Sequence, residues 1–404
     1  MPRTSASHAG LLRLPDGRWL ARRVDLEEWR LRIPRLKPVL FGGEEYYPLD
    51  AFEGLTYKFD EPRQQVDLEI PPRYFEATVV GTPMARPQPV VPGHGGFVNY
   101  DVFLDANGTT QHASGLVETA YFNRFGVGAS SFLAQDVGAD SRFVRLDTAW
   151  RRDFASEMKT LVIGDTIGSS GAWGRPVRFG GLSYGTNFAT NPGFVTFPLP
   201  GLRGEAALPT TTELYVDGRL RQSSNVPPGP FRIDNVPVVT GQGEVRLVVR
   251  DLLGREQVLS APYYASTQLL RAGLTEEAYE IGVVRNNFGI RSNDYGRAVA
   301  ALQRRHGFSD SITGEARAEL LRDQQTGGIA GSFAFPSLGV LTGGGALSRS
   351  SQGSGALALA AFERQVSRGA SFGVRSQWTT DEFTQLGLQP DQRAPARVVS
   401  GSMS

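Results

Sequence analysis

The sequence predicts an all-β, mainly antiparallel protein in which long barrel-type strands are interrupted by a small β-domain and preceded by a small mixed α/β unit. Three observations carry this. The chain holds 48 Gly with 23 Phe and 12 Tyr among 404 residues, a composition of tight turns and aromatic-bearing strands. Segments about ten residues long alternate polar and apolar side chains with period 2. That rhythm breaks once, over residues 208–264, and then resumes.

Residues 1–75 read as the compact mixed unit. Leu11, Leu14, Trp19 and Leu20 flank Pro15-Asp16-Gly17, as expected of two short strands joined tightly. Asp25 is placed to cap a short helix over Leu26-Glu27-Glu28-Trp29. Tyr46-Tyr47-Pro48-Leu49 and Val66-Asp67-Leu68-Glu69-Ile70 read as strands, the second stopped by Pro71-Pro72. Residues 76–96, with Pro83, Pro87, Pro89 and Pro92, read as an extended linker.

Residues 97–207 are expected to supply the first barrel strands. Val98 to Asp105 alternates and runs into the hairpin signal Ala106-Asn107-Gly108. Over residues 143–154, Val144, Leu146, Thr148 and Trp150 fall on one face and Arg145, Asp147, Arg151 and Asp153 on the other. A soluble sheet also alternates. Length favours a membrane barrel, because soluble strands run about 5–6 residues and membrane strands about 9–11. Tyr121, Phe122 and Phe125 near strand ends suit an aromatic girdle. The apolar faces would meet lipid, and the Arg/Asp faces would line a wet lumen.

Residues 208–264 have shorter strands and their own apolar set, including Leu214, Val216, Phe231, Ile233, Val245 and Leu247. Asp217-Gly218 centres a hairpin, and Val226-Pro227-Pro228-Gly229-Pro230 a rigid bend. Residues 265–390 resume the long strands. Helix propensity competes over Glu315 to Arg322, but the alternation of Ile329, Gly331, Phe333 and Phe335, and later Phe372, Val374 and Trp378, favours strand. Residues 391–404 read as a polar tail.

Composition excludes several chemistries. With 42 basic and 41 acidic residues the net charge is +1 and no basic block occurs, so nucleic acid is not an expected partner. The absence of cysteine removes disulfides, thiol nucleophiles and cysteine-ligated metals. The four histidines are far apart, so no metal site is expected. No apolar run reaches the roughly 18 residues of a membrane helix. Gly181-Leu182-Ser183-Tyr184-Gly185 and Gly369-Ala370-Ser371-Phe372-Gly373 match the Gly-x-Ser-x-Gly elbow. No helix follows Ser183, and neither match is read as catalytic. Gly164 to Gly174 lacks the Lys of a phosphate-binding loop and reads as a flexible connection. Asn107-Gly108-Thr109 is a formal sequon at a turn. Neither a catalytic residue, a cofactor nor a small-molecule substrate is expected.

Three stretches carry a family likeness: Leu161-Val162-Ile163-Gly164-Asp165, Arg178-Phe179-Gly180-Gly181-Leu182-Ser183-Tyr184-Gly185-Thr186-Asn187-Phe188, and Pro192-Gly193-Phe194-Val195-Thr196-Phe197-Pro198-Leu199-Pro200. With the order of parts, they resemble an outer-membrane fimbrial usher from about Leu11 to Phe383, within that family most the archaic type. Pro209 to Leu220 and Val226 to Phe231 resemble the start of the usher plug. The resemblance implies a pilus assembly platform and secretion pore in the outer membrane, serving periplasmic chaperone–subunit complexes. Residues 1–75 would be part of the periplasmic N-terminal domain and 208–264 the plug. Subunits would join by strand exchange, with backbone pairing supplying affinity and no ATP site required.

On that reading Asp217, Arg219, Arg221, Arg232 and Asp234 are polar plug positions. Arg145, Asp147, Arg151 and Asp153 are their partners on the lumen wall. The start lacks a secretory h-region and the first strand of the N-terminal domain. The likeness also stops before such a barrel would close, leaving sheet edges costly in hydrocarbon. The expectation is a truncated usher comprising the N-terminal and central parts: a fragment, a split gene or a mis-assigned reading frame. The competing readings are a soluble all-β adhesin that binds carbohydrate and, more weakly, a simple porin.

Overall fold

The computed structural model describes residues 9–81, 93–107, 110–135, 141–251, 253–367, 370–389 and 391–403. Residues 82–92 of the expected linker, Gly108 and Thr109 of the expected turn and sequon, and Gly369 of the second Gly-x-Ser-x-Gly match lie outside them. In chain order the elements are β1 (Leu11–Arg13), β2 (Trp19–Arg22), α1 (Arg23–Glu28), β3 (Val39–Phe41), β4 (Glu44–Pro48), β5 (Thr56–Asp60), β6 (Gln65–Glu69) and β7 (Thr78–Val80). Next come β8 (Gly95–Asn107), β9 (Thr110–Asn123), β10 (Gly126–Gln135), β11 (Arg142–Phe154), β12 (Lys159–Ile167) and β13 (Arg178–Thr186). Six shorter strands follow: β14 (Leu202–Ala206), β15 (Thr210–Val216), β16 (Arg219–Val226), β17 (Gly229–Ile233), β18 (Gly241–Asp251) and β19 (Glu256–Ala265). The last eight are β20 (Thr275–Arg285), β21 (Tyr295–Ser309), β22 (Ile312–Leu321), β23 (Gln324–Phe335), β24 (Gly339–Ser350), β25 (Gly353–Ser367), β26 (Ala370–Thr379) and β27 (Arg397–Met403).

The chain divides into two compact units, one of residues 1–83, 199–239 and 243–263, the other of 84–198, 240–242 and 264–404. In the first unit, β1 and β2 form the hairpin expected around Pro15-Asp16-Gly17, with Gly17 at positive φ (89°) where a side chain would be strained. Asp16 accepts the Arg18 backbone N–H at 3.1 Å and its guanidinium at 2.8 Å, which together hold its carboxyl below the ordinary 3.8. The helix departs from expectation. It starts at Arg23, so Asp25 lies in its first turn, buried, and accepts from Gly10 N–H and the Arg22 guanidinium, both at 2.9 Å. Reach decides this, because a buried carboxylate takes the cation that can pair with it. Ala21, Leu26, Leu31, Tyr47, Leu49 and Phe52 form the local core.

The same unit holds a sheet in the order β16-β15-β18-β19 and another in the order β14-β17-β7. β7 joins β17 in parallel, with Phe231 opposite Thr78. Alternation gives each sheet a buried row: Thr212, Leu214 and Val216 on β15, Val245, Leu247 and Val249 on β18, Phe231 and Ile233 on β17. Asp217 and Gly218 turn β15 into β16 with φ of 49° and 75°, the doubly positive geometry that Asp-Gly supplies in two-residue hairpins.

The second unit is built on one fourteen-stranded sheet in the order β27-β26-β25-β24-β23-β22-β21-β20-β13-β12-β11-β10-β9-β8. β13 pairs antiparallel with β20, Leu182 opposite Ile281, so β14–β19 are an excursion that leaves the sheet order intact. Its strands run from nine to fifteen residues, apart from the seven of β27. Residues 312–321 are strand, as the alternation indicated against helix propensity. The polar tail contains one difference: Arg397–Met403 is a strand, pairing Arg397 with Trp378. The free edge of β26 and the β-branched pair Val398-Val399 outweigh the polar composition around them.

Candidate functional site

Register fixes two neighbouring rows across the large sheet, and they have opposite character. One row runs Tyr184, Tyr279, Leu302, Ala318, Gly327, Leu347, Ala356. One residue away runs Ser183, Glu280, Ala301, Glu319, Thr326, Ser348, Gly355. Successive strand residues point to opposite faces, so these rows belong to the two sides of the sheet. On the apolar row Leu347 is 71% exposed, and on the polar row Glu319 is 0% exposed. A soluble sheet of this size would bury the leucine and expose the carboxylate.

The apolar face continues through exposed Ile163, Leu182, Ile281, Ile329, Leu341 and Val374. Exposed aromatics cluster at the strand ends nearest the β13–β14 and β19–β20 connections: Phe97, Tyr121, Phe125, Tyr279, Phe308 and Phe335. An apolar band edged by aromatics is the exterior of a membrane barrel.

The polar face is filled by two connections of the same unit, residues 168–177 and 380–389. Arg317 and Glu319 on β22 pair at 2.9 Å with both side chains fully buried. Arg317 also donates to Ser169 Oγ at 3.0 Å and Gln303 Oε1 at 3.2 Å, and Glu319 accepts Leu386 N–H at 2.7 Å. Glu280 accepts Ser169 N–H and Glu315 accepts Ala172 N–H, each at 2.7 Å. Trp173 is buried among Ala346, Leu357, Leu359 and Phe383. The glycine-rich stretch that read as a flexible connection is thus packed against the sheet. Its glycines permit the fit: a Cβ on Gly174 would lie 2.8 Å from Arg317 Nε.

A second network spans β11, β12, β13, β20 and β21. Asp165, 6% exposed, accepts from Arg145 Nη1, from Tyr295 Oη at 2.5 Å and from Thr148 N–H at 2.9 Å. Arg285 Nη1 lies 2.9 Å from Asp165 Oδ2. Arg178 donates to both oxygens of Asp147, at 3.1 and 3.0 Å. The Tyr295 ring sits where a Cβ on Gly180 would approach it to 2.7 Å.

Of the four wall residues taken from the sequence, Arg145 and Asp147 belong to this network. Arg151 and Asp153 lie further along β11, exposed and paired with each other at 3.1 Å. Among these charges Arg145 is partly buried and bound to the buried Asp165, while Asp147, Arg151 and Asp153 keep access to solvent.

The plug positions separate into two places. Asp217 sits at the β15–β16 turn, accepting Glu244 N–H at 3.1 Å and Tyr263 Oη at 3.4 Å, with Arg219 and Arg221 exposed beside it on β16. Arg232 and Asp234 pair at 2.9 Å on and just after β17, in the other sheet. Sequence reasoning missed Asp165, Arg178, Arg285 and Tyr295 as site residues, although Asp165 and Arg178 stand in the stretches carrying the family likeness. Among the described residues no group of three His, Cys, Asp or Glu could hold a metal.

The family model for the outer membrane usher protein matches residues 134–382, more than half of the chain. The outer membrane usher protein FimC of Bordetella pertussis is 32% identical over 174 residues, 42% of this chain and 20% of that protein. The F1 capsule-anchoring protein of Yersinia pestis is 24% identical over 292 residues, 67% of this chain and 32% of that protein. In fold the chain is similar to the E. coli P pilus tip assembly intermediate PapC-PapD-PapK-PapG, with TM-score 0.56 and 16% identity over 90% of this chain and 47% of that one. The chain belongs to the outer membrane usher protein family. It spans about a fifth to a third of the length of the curated relatives it matches.

Proposed function

We propose that this chain contributes to an outer-membrane platform and pore that receives chaperone-bound pilus subunits and passes the growing fibre through the barrel. The observation that carries this reading is the inverted sheet, apolar outside and ionic inside, with a separate β-domain led out between β13 and β20 and returned without disturbing strand order. Such a domain is placed in sequence to gate a pore, and residues 208–264 are proposed as that plug. Asp217, Arg219, Arg221, Arg232 and Asp234 are proposed as its polar positions, with Arg145, Asp147, Arg151 and Asp153 as wall positions. The N-terminal residues 1–75 are proposed as a periplasmic docking domain. The work is positioning of partners, with no covalent step.

The test is expression with a cognate chaperone–subunit pair, followed by membrane fractionation and pull-down. Heat-modifiable gel mobility in the outer-membrane fraction, with chaperone–subunit complexes retained on the chain, is the expected outcome. A soluble, folded chain that retains carbohydrate and no chaperone complex would replace this reading with the adhesin.

A further inference from the structure

We propose that the mouth of the large sheet at the Arg178 end of β13 holds a binding site for a phosphate-bearing anion. A cavity of ≈ 480 Å³ lies there, its lining including Arg175, Arg178, Arg297 and the backbone of Arg285, whose side chain is fully buried, and no Asp or Glu. These arginines come from the 168–177 connection, the first residue of β13, the last of β20 and the third of β21. Gly387, Leu388 and Gln389 close one wall. The site belongs to one compact unit and does not depend on the function proposed above.

Charge accounting points to a missing anion. Arg178 is met by Asp147, Arg285 by Asp165 at 2.9 Å and Arg297 by Asp323 at 3.6 Å. Arg145 shares Asp165 with Arg285. Among the described residues Arg175 has no carboxylate partner. Its Nε donates only to the Gln385 amide oxygen at 3.1 Å, in the amide orientation that satisfies both ends of that side chain. At the cavity itself three guanidinium groups, those of Arg175, Arg178 and Arg297, are therefore met by two carboxylates, Asp147 and Asp323.

The chemistry selects the ligand class. Planar guanidinium groups converging on one cavity match the tetrahedral oxygens of phosphate with paired, charge-assisted hydrogen bonds. An anionic phosphate group supplies the counter-charge that Arg175 lacks. The Arg178 guanidinium is already fixed, stacked 3.7 Å from the Phe288 ring centroid, so little ordering is required on binding.

The experiment is calorimetry of the whole chain in detergent with inorganic pyrophosphate, on the parent, Arg175→Gln, Arg175→Lys and, at an exposed arginine of β24 outside the cavity, Arg349→Gln. Heat-modifiable mobility checks that each is folded. The expected result is saturable binding that Arg175→Gln weakens about tenfold or more, that Arg175→Lys largely keeps, and that Arg349→Gln leaves unchanged. Absence of pyrophosphate binding to the folded parent, or equal affinity in parent and Arg175→Gln, would overturn the site. So would an equal loss in Arg349→Gln, since bulk charge would then account for binding. Competition of pyrophosphate by diphosphorylated but not dephosphorylated lipid A upholds the site and assigns the phosphate to a lipid headgroup. Persistence of pyrophosphate binding against both lipids upholds it and assigns a soluble source.

Discussion

The β15–β18 sheet and the β20–β25 sheet obey the same alternation and bury opposite things. On β18 the buried row is Val245, Leu247 and Val249, and the exposed row carries Glu244, Arg246 and Arg250. On β22 to β24 the buried row is Arg317, Glu319, Thr326 and Ser348, and the exposed row carries Ile329 and Leu347. Backbone geometry is common to both, so the difference lies in what surrounds each face. Water rewards the first arrangement and hydrocarbon the second. Period 2 identifies a strand; which row is apolar outward identifies the solvent.

The sharpest way to break this contrast is inside the large sheet. Glu319→Ala leaves Arg317 desolvated without its carboxylate and removes the acceptor of Leu386 N–H. A loss of about 3–5 kcal/mol is expected, read as a fall in the denaturant midpoint of the heat-modifiable form. Next in size is a charge on the apolar row. Leu347→Arg is expected to cost about 2–4 kcal/mol in a bilayer if it lies near the midplane. The same change at exposed Leu220 on β16 is expected to stay within about 0.5 kcal/mol, because that face meets water. Equal costs at the two leucines, measured by urea titration of refolding into vesicles, would erase the distinction.

The smallest effect concerns the exposed β1–β2 turn. Asp16 titrates lower when folded than its ordinary 3.8, because the Arg18 N–H and guanidinium favour the carboxylate. Its contribution is therefore complete above about pH 5 and fades as pH falls through the folded value. In Asp16→Asn this component should be flat with pH, with only a slight change in melting at neutral pH, followed by thermal melts from pH 3 to 7.

Much of the architecture was legible because it is local. Asp217-Gly218 announces its own turn, and ten-residue alternation announces long strands whatever their final partners. The long-range polar network was less legible. Arg317 and Glu319 were visible as alternating charges, but their complete burial depends on Ser169 and Leu386, which lie 148 and 67 residues away. Asp25 could be assigned to a helix start but not to the pairing with Gly10 and Arg22 that moves it inside the first turn. Arg397–Met403 became a strand because an edge was available, a fact about β26 and not about the tail itself.

The most direct measurement is site-directed spin labelling in lipid vesicles, which the absence of native cysteine makes clean. Labels at Leu347→Cys, Ile329→Cys and Leu182→Cys should favour collisions with oxygen over a water-soluble nickel complex, whereas Ser223→Cys on β16 should favour nickel. If the three labels on the large sheet collide with nickel as readily as Ser223→Cys does, the apolar face meets water and the membrane-barrel account is contradicted.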